Sequence, residues 1–451
     1  MKSDCYGAPV SFDDPNAVDG LNAAQRKFRG FFGDPVAMID AVLADHPDFV
    51  MAHCFRGGLF ATSSEASCVG EIRAAMRAIE ENWAIANDRE RGHYAALAAW
   101  SVGDFHRAAN TYGRVAAAYP RDAIALQFAH LCDFLNGHAT MLRDRVAGIL
   151  PQWTPEDEGY GYLLGMKAFG LEEAGAYALA EEAGRQAVDA EPSDAWAVHA
   201  VAHVMEMEGR HDEGVQWLET SADHWSQDNF FAYHNWWHLS LYLLERMDYQ
   251  RALDLYDRVI RNTNAPVAME MVDAVALLWR LALRGVNVGD RWQELSKTYE
   301  QIEMGGYYAF NDMHAVIAHS AADRAFAAER CLEKMRDAVR GYDTNAMMTA
   351  DVGLPAAEAM QAFLNGDYRQ TIDKLYAVRG ISHHFGGSNA QRDILGVTLV
   401  EAAIRDGQRG LAVALASERM GAKSNSPTNR MFLDRAWAAA KTDVPVVAEV
   451  A

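Results

Sequence analysis

Short linkers of the type Gly-Asp-aromatic recur along this chain, and their spacing restricts its fold more than any other feature. They fall at Gly103-Asp104-Phe105, Gly175-Ala176-Tyr177, Gly209-Arg210-His211, Met247-Asp248-Tyr249, Gly289-Asp290-Arg291, Ala322-Asp323-Arg324, Gly366-Asp367-Tyr368 and Gly407-Gln408-Arg409. Between their middle residues the steps are 72, 34, 38, 42, 33, 44 and 41. The first is about twice a single step, so one turn inside it is too degenerate to recognise. Steps of this size are the period of tetratricopeptide-like helical hairpins. One hairpin cannot bury both of its apolar faces, whereas a stack of them can.

The intervening segments carry apolar residues at three- and four-residue spacing, as in His93–Trp100, Asp194–Glu208 and Ala315–Ala328. Alternating Val/Ile/Thr runs are nearly missing, so strands are not expected. Ala117-Ala118-Tyr119-Pro120 and Asp189-Ala190-Glu191-Pro192 close second helices with proline. The fold class expected is all-α: an α-solenoid of tetratricopeptide-like hairpins wound into a curved superhelix. Residues 21–442 form it, after an N-terminal extension of residues 1–20 and before a tail at 443–451.

Composition removes several function classes. The 451 residues include 41 Lys plus Arg against 62 Asp plus Glu, a formal charge of −21. Such a field repels phosphate backbones and anionic lipids, so neither nucleic acid nor membrane is an expected partner. The first twenty residues lack the apolar core of a signal peptide. The five cysteines are odd in number and widely spaced, without a CxxC pair. A cytoplasmic protein with reduced thiols is expected.

Several stretches resemble the family of tetratricopeptide repeat protein 38. They are Gly159-Tyr160-Gly161 with Gly165–Glu173, Ala195–Val204 (AWAVHAVAHV), His234–His238 (HNWWH) and Gly387–Asp393. The resemblance runs from about residue 20 to 440. It implies a tetratricopeptide-like fold in a cytosolic protein and no defined activity.

Histidines are the most unusual residues. His199 and His203 lie one helical turn apart on one face, and His234 and His238 repeat that spacing on the first helix of the next unit. His314 sits on a later first helix, and His383 and His384 precede another. If first helices line the concave side, these imidazoles converge there. Two i, i+4 imidazole pairs also make a metal-ligand geometry. Glu206 stands three residues after His203 and can join such a set, but His199–His203 lacks the glutamate of a His-Glu-x-x-His protease.

Other polar residues fall on first helices too: Asp273, Trp279 and Arg280, then Asp312, Glu358, Arg392 and Asp393. A buried acid or arginine needs a partner, so each reads either as an inter-repeat ion pair or as part of a charged pocket. Arginine suits a carboxylate ligand. Trp236 and Trp237 differ by about 100° around their helix, so one packs between hairpins and the other meets the concave surface. Gly305-Gly306 and Gly386-Gly387-Ser388 lack the Gly-Lys-Ser/Thr of a phosphate loop, and a Ser388–histidine–Asp393 combination is a weak constellation.

The function expected is a pocket for a small polar ligand or short peptide, lined by His199, His203, His234, Trp237, His238, Asp273, Arg280, His314, His384 and Arg392. No catalytic residue is assigned and no cofactor is predicted. A divalent metal is the alternative occupant, with His199, His203, His234 and His238 as its candidate ligands. The competing reading is a non-catalytic scaffold whose groove takes a partner protein, or a homodimer.

Overall fold

The computed structural model describes residues 2–261, 265–302 and 304–439. Antiparallel helical pairs follow one another along it, beginning with Val50–Ala61 against Val69–Glu81 and Asp88–Trp100 against Phe105–Ala118. Six later first helices position the site: α1 (Tyr160–Glu173), α2 (Ala195–Met207), α3 (Ala232–Glu245), α4 (Ala268–Leu283), α5 (Ala309–Ala321) and α6 (Asn389–Arg405). The protein is thus an α-solenoid of the tetratricopeptide type.

Each linker turns the chain through a left-handed residue, a glycine with φ between +60° and +81° in six of them and Met247 (φ +60°) and Asp323 (φ +57°) in the other two. The following Asp caps the second helix in three linkers: Asp104, Asp248 and Asp367 accept hydrogen bonds from the amides of Arg107, Arg251 and Gln370, whereas Asp290 takes the cap position without a side-chain hydrogen bond. The unrecognised turn is Gly137-His138-Ala139, between the helices Ala123–Leu135 and Ala139–Ile149. At Ala322-Asp323-Arg324 the register is one residue later than the sequence pattern suggests. The left-handed residue there is Asp323, and Arg324 occupies the cap position.

First and second helices differ in burial. In α2, twelve of thirteen residues are buried, whereas the paired helix Tyr177–Ala190 buries Ala180, Ala183, Gly184 and Ala187. A helix buried all round has no polar face to spare, so every polar side chain on it needs a partner inside the protein.

At the N-terminus a short hairpin pairs Lys2–Ser3 with Pro9–Val10, a small exception to the strandless expectation. A helix at Pro15–Arg29 runs across the expected boundary at residue 20. The hairpin is tied in by the buried Arg89, which bridges Asp4 and Asp122. The expected tail at 443–451 lies outside the described residues.

The concave side is not an open groove, because the last repeats pack back across it. Trp100 Nε1 donates to Tyr307 Oη (3.1 Å), Tyr308 Oη donates to the Leu135 carbonyl (2.8 Å), and the Thr344 amide donates to Gly103 (3.1 Å). Near the middle, Trp279 Nε1 on α4 donates to Thr398 Oγ1 on α6 (2.8 Å). Two glycines permit this seam. Gly137 (φ +68°) and Gly386 (φ +85°) are left-handed, and a Cβ on either would collide with backbone, the His383 carbonyl and the Leu135 carbonyl respectively.

Candidate metal centre

α2 and α3 pack side by side, and the i, i+4 spacing aims two imidazoles from each into their common interface. One ring nitrogen from each of His199, His203, His234 and His238 falls within 4.8 Å of all the others. All four residues are buried, at 1%, 0%, 5% and 0% exposure. His199 Nε2 and His234 Nε2 stand 3.1 Å apart. Two imidazole nitrogens that close share either a hydrogen, one ring donating its N–H to the other's lone pair, or a metal ion.

Carboxylates stand behind three of the rings. Asp273 Oδ2 on α4 accepts a hydrogen bond from His234 Nδ1 (2.5 Å), and Glu206 Oε2 on α2 accepts one from His238 Nδ1 (3.1 Å). His203 Nδ1 stands 3.3 Å from Glu172 Oε2 and 3.9 Å from Glu173 Oε1, at the end of α1. Behind His234 and His238 this is the carboxylate–imidazole arrangement that orients metal ligands: the acid holds the Nδ1–H tautomer and leaves Nε2 with a free lone pair, whereas His203 Nδ1 stands near its acids without a hydrogen bond to them. His203 Nε2 and His238 Nε2 are buried with no hydrogen-bond partner. Leaving such an atom unsatisfied costs about 1–3 kcal/mol, which a bound ion removes.

Burial sets the protonation states. It holds the His203 imidazole down at about 4 and, aided by the neighbouring rings, keeps His199 and His238 well below the usual imidazole range. These three rings are therefore neutral, as ligands must be. Burial also pushes the Glu172 carboxyl up to about 8, with Glu206 adding to it, and Glu173 up to about 7, with Glu172 adding.

A third layer fixes the acids. The start of α6 closes over them: Gln391 Nε2 donates to Asp273 Oδ1 (3.3 Å), the Asn389 amide donates to Glu173 Oε1 (2.8 Å), and Arg392 reaches Glu173 Oε2 (3.3 Å). Trp237 lies flat on His234, with ring centroids 5.3 Å apart, and the Arg280 guanidinium sits over the Trp237 ring, 5.6 Å from its centroid. Trp236 packs instead on Trp225, so the two tryptophans divide as their helical angle requires.

Of the ten residues anticipated, the four clustered histidines, Asp273 and Trp237 come together. Arg280 and Arg392 are supports. Arg280 donates to the Ala276 and Ala390 carbonyls, and Arg392 binds the Gly387 carbonyl as well as Glu173. His314 turns Nδ1 onto the Phe310 carbonyl of its own helix (2.8 Å) and stays outside the cluster. His384 is half-buried in the seam, on a short turn at Ser382–Phe385, where Nδ1 meets Asp351 (3.0 Å). It belongs to a second histidine group, in which His106 stacks on His138 and His383 meets His384 edge-to-face, each pair at 4.6 Å.

Glu358 and Asp393 form the ion pairs of the plainer reading, with Lys374 and Arg419. Asp312 accepts the Gly305 and Gly306 amides. Ser388 caps α6 and Asp393 faces Arg419, so no Ser388–histidine–Asp393 relay is assembled. The residues that sequence reasoning missed are Glu172 and Glu173. Their signal was an acid pair ending an otherwise apolar helix.

No known family model matches the chain. Among solved structures it is similar to the human IFIT1 dimer with m7Gppp-AAAA at 14% identity and TM-score 0.39, covering 95% of this chain and 96% of that one. It is also similar to the APC/C hetero-tetramer Cut9–Hcn1 at 12% identity and TM-score 0.34, covering 93% and 90%. The P58(IPK) TPR domain matches at 14% identity and TM-score 0.20, covering 87% of this chain and 99% of that one. The solenoid assignment rests on the helical hairpins of this chain. No helix among the described residues is long and apolar enough to cross a membrane.

Proposed function

We propose that the protein is a metal-binding helical-repeat protein in which His199, His203, His234 and His238 hold one divalent transition ion. The observation that carries this is the set of four buried imidazoles within 4.8 Å, with carboxyl groups behind the Nδ1 atoms of three. Neutral imidazole selects zinc, copper, iron or nickel over magnesium or calcium. A metal–nitrogen bond of about 2.0–2.1 Å gives tetrahedral ligands roughly 3.4 Å apart. The His199–His234 approach of 3.1 Å is near that size, and the widest pair closes by at most about 1.4 Å on binding. Four neutral ligands leave the ion its full charge, so it is a Lewis acid for whatever reaches it. Asp273 and Glu206 stand behind two of its ligands.

On this reading the small polar ligand expected from the sequence is first of all the ion. The helical-repeat fold also suits a partner protein as the competing guest; among the described residues, the last repeats reach across to the early ones at Tyr307–Trp100 and Tyr308–Leu135. We further place the chain with the family of tetratricopeptide repeat protein 38, on the AWAVHAVAHV and HNWWH stretches that build the centre, and in the cytoplasm, on its unpaired cysteines.

Elemental analysis of the purified protein tests the centre. One equivalent of a transition metal is expected, and it is lost in His203→Ala/His238→Ala. Substoichiometric metal that the double variant leaves unchanged sinks the proposal.

A further inference from the structure

A chamber of about 430 Å³ opens beside the centre, between the N-terminal helices and the Phe230–Tyr233 segment. Its volume is that of a small-molecule site. The inner wall is aromatic: Phe31, Trp196, Phe231 and Tyr233 line it. Trp196 and Phe231 turn their other sides to His199, at centroid distances of 5.2 Å each, so the chamber ends one ring short of the imidazoles.

The charged groups of the lining are all of one sign. Asp34, Glu65 and Glu270 are present, and no Lys, Arg or His stands among the described lining residues. Asp34 and Glu65 are partly engaged, accepting the amides of Ala37 and Ala268. Glu270 is the least committed. Its Oε2 is buried without a hydrogen bond and lies 3.7 Å from Arg261, which is itself turned to Glu294 at 2.7 Å. Aromatic faces and carboxylates around one cavity favour the same guest, since a ring face and an anion both attract an organic cation once water is excluded. An anionic guest would meet three carboxylates, and a neutral one would gain only from burial.

We infer that this chamber is a binding site for a small apolar or aromatic molecule bearing one ammonium group, seated with its apolar body against Phe231 and Trp196 and its cation toward Glu270. The site stands apart from the metal reading, because none of its lining residues is a proposed ligand of the ion.

The test uses the full chain and three probes of one shape: 4-phenylbutyltrimethylammonium, 4-phenylbutanol and 4-phenylbutyrate, titrated calorimetrically. The ammonium should bind at least tenfold more tightly than the alcohol, and the carboxylate should not bind. Glu270→Gln should bring the ammonium down to the alcohol and leave the alcohol unchanged, while Phe231→Leu should weaken both. In His203→Ala/His238→Ala, confirmed folded by circular dichroism, ammonium binding should persist although the ion is lost. Equal affinities for the three probes, preference for the carboxylate, or ammonium binding indifferent to Glu270→Gln overturns the inference. Ammonium binding that vanishes in the folded double-histidine variant overturns the chamber as a site in its own right.

Discussion

Two groups of four histidines occupy this molecule, and they are built differently. His199, His203, His234 and His238 are sealed between α2 and α3, with acids against three Nδ1 atoms. His106, His138, His383 and His384 meet at the seam between early and late repeats, partly exposed and joined as one stacked and one edge-to-face pair. Their acids are fewer, with Asp351 at 3.0 Å from His384 and Asp133 at 3.7 Å from His138. Histidine density alone therefore does not make a metal centre. Burial must keep the rings neutral, and acids behind them must turn one lone pair of each toward a common point.

The comparison breaks most sharply on metal content. Replacing His203 and His238 with alanine should abolish stoichiometric metal, while His106→Ala/His384→Ala should leave it intact, both read by elemental analysis. Next come the acids. Asp273→Asn should lower metal affinity about 10- to 100-fold in a chelator competition, through the orientation of His234. Asp351→Asn, behind the seam histidine, should change nothing in the same assay.

The effect of burial without acids can be read at His314, which burial holds at about 4. Its unfolded value is near 6.5, so between those two pH values the unfolded chain binds the extra proton. The neutral ring's contribution is present above pH 6.5 and is lost as pH falls toward 4. Wild type should therefore lose about 3 kcal/mol relative to His314→Leu across that window, measured by denaturant unfolding at pH 7 and pH 4. Half-buried His106 is also held low, by burial and then by His138, so His106→Leu should give a smaller change of the same sign.

The smallest effect sharpens the seam itself. Gly175→Ala meets open space and only the left-handed backbone strain of roughly 1–2 kcal/mol. Gly386→Ala adds a backbone collision and should cost more, read as the difference in unfolding midpoint.

Much of this architecture is written locally. The linkers are legible because a left-handed residue followed by a cap has a fixed chemical signature. The register slips only where Asp323 supplies the left-handed residue that glycine usually does, and one turn is hidden where His138 follows Gly137. The four histidines are legible because an i, i+4 pair on neighbouring first helices can only converge. Glu172 and Glu173 are not, since acids ending a helix look like any solvated terminus until α6 covers them. Nor is the place of His384. It depends on the last repeats folding back onto residues about 250 positions earlier, which no periodicity encodes.

Because α6 closes over the acids behind the rings, an ion held there has no short way out. Exchange with bulk solution must wait for neighbouring helices to part, so its rate should follow the frequency of that opening rather than the strength of the metal–nitrogen bonds. A chain that captures its ion while the final repeats are still settling would keep the same atom for most of its lifetime, and chelators would strip it only as fast as the solenoid breathes.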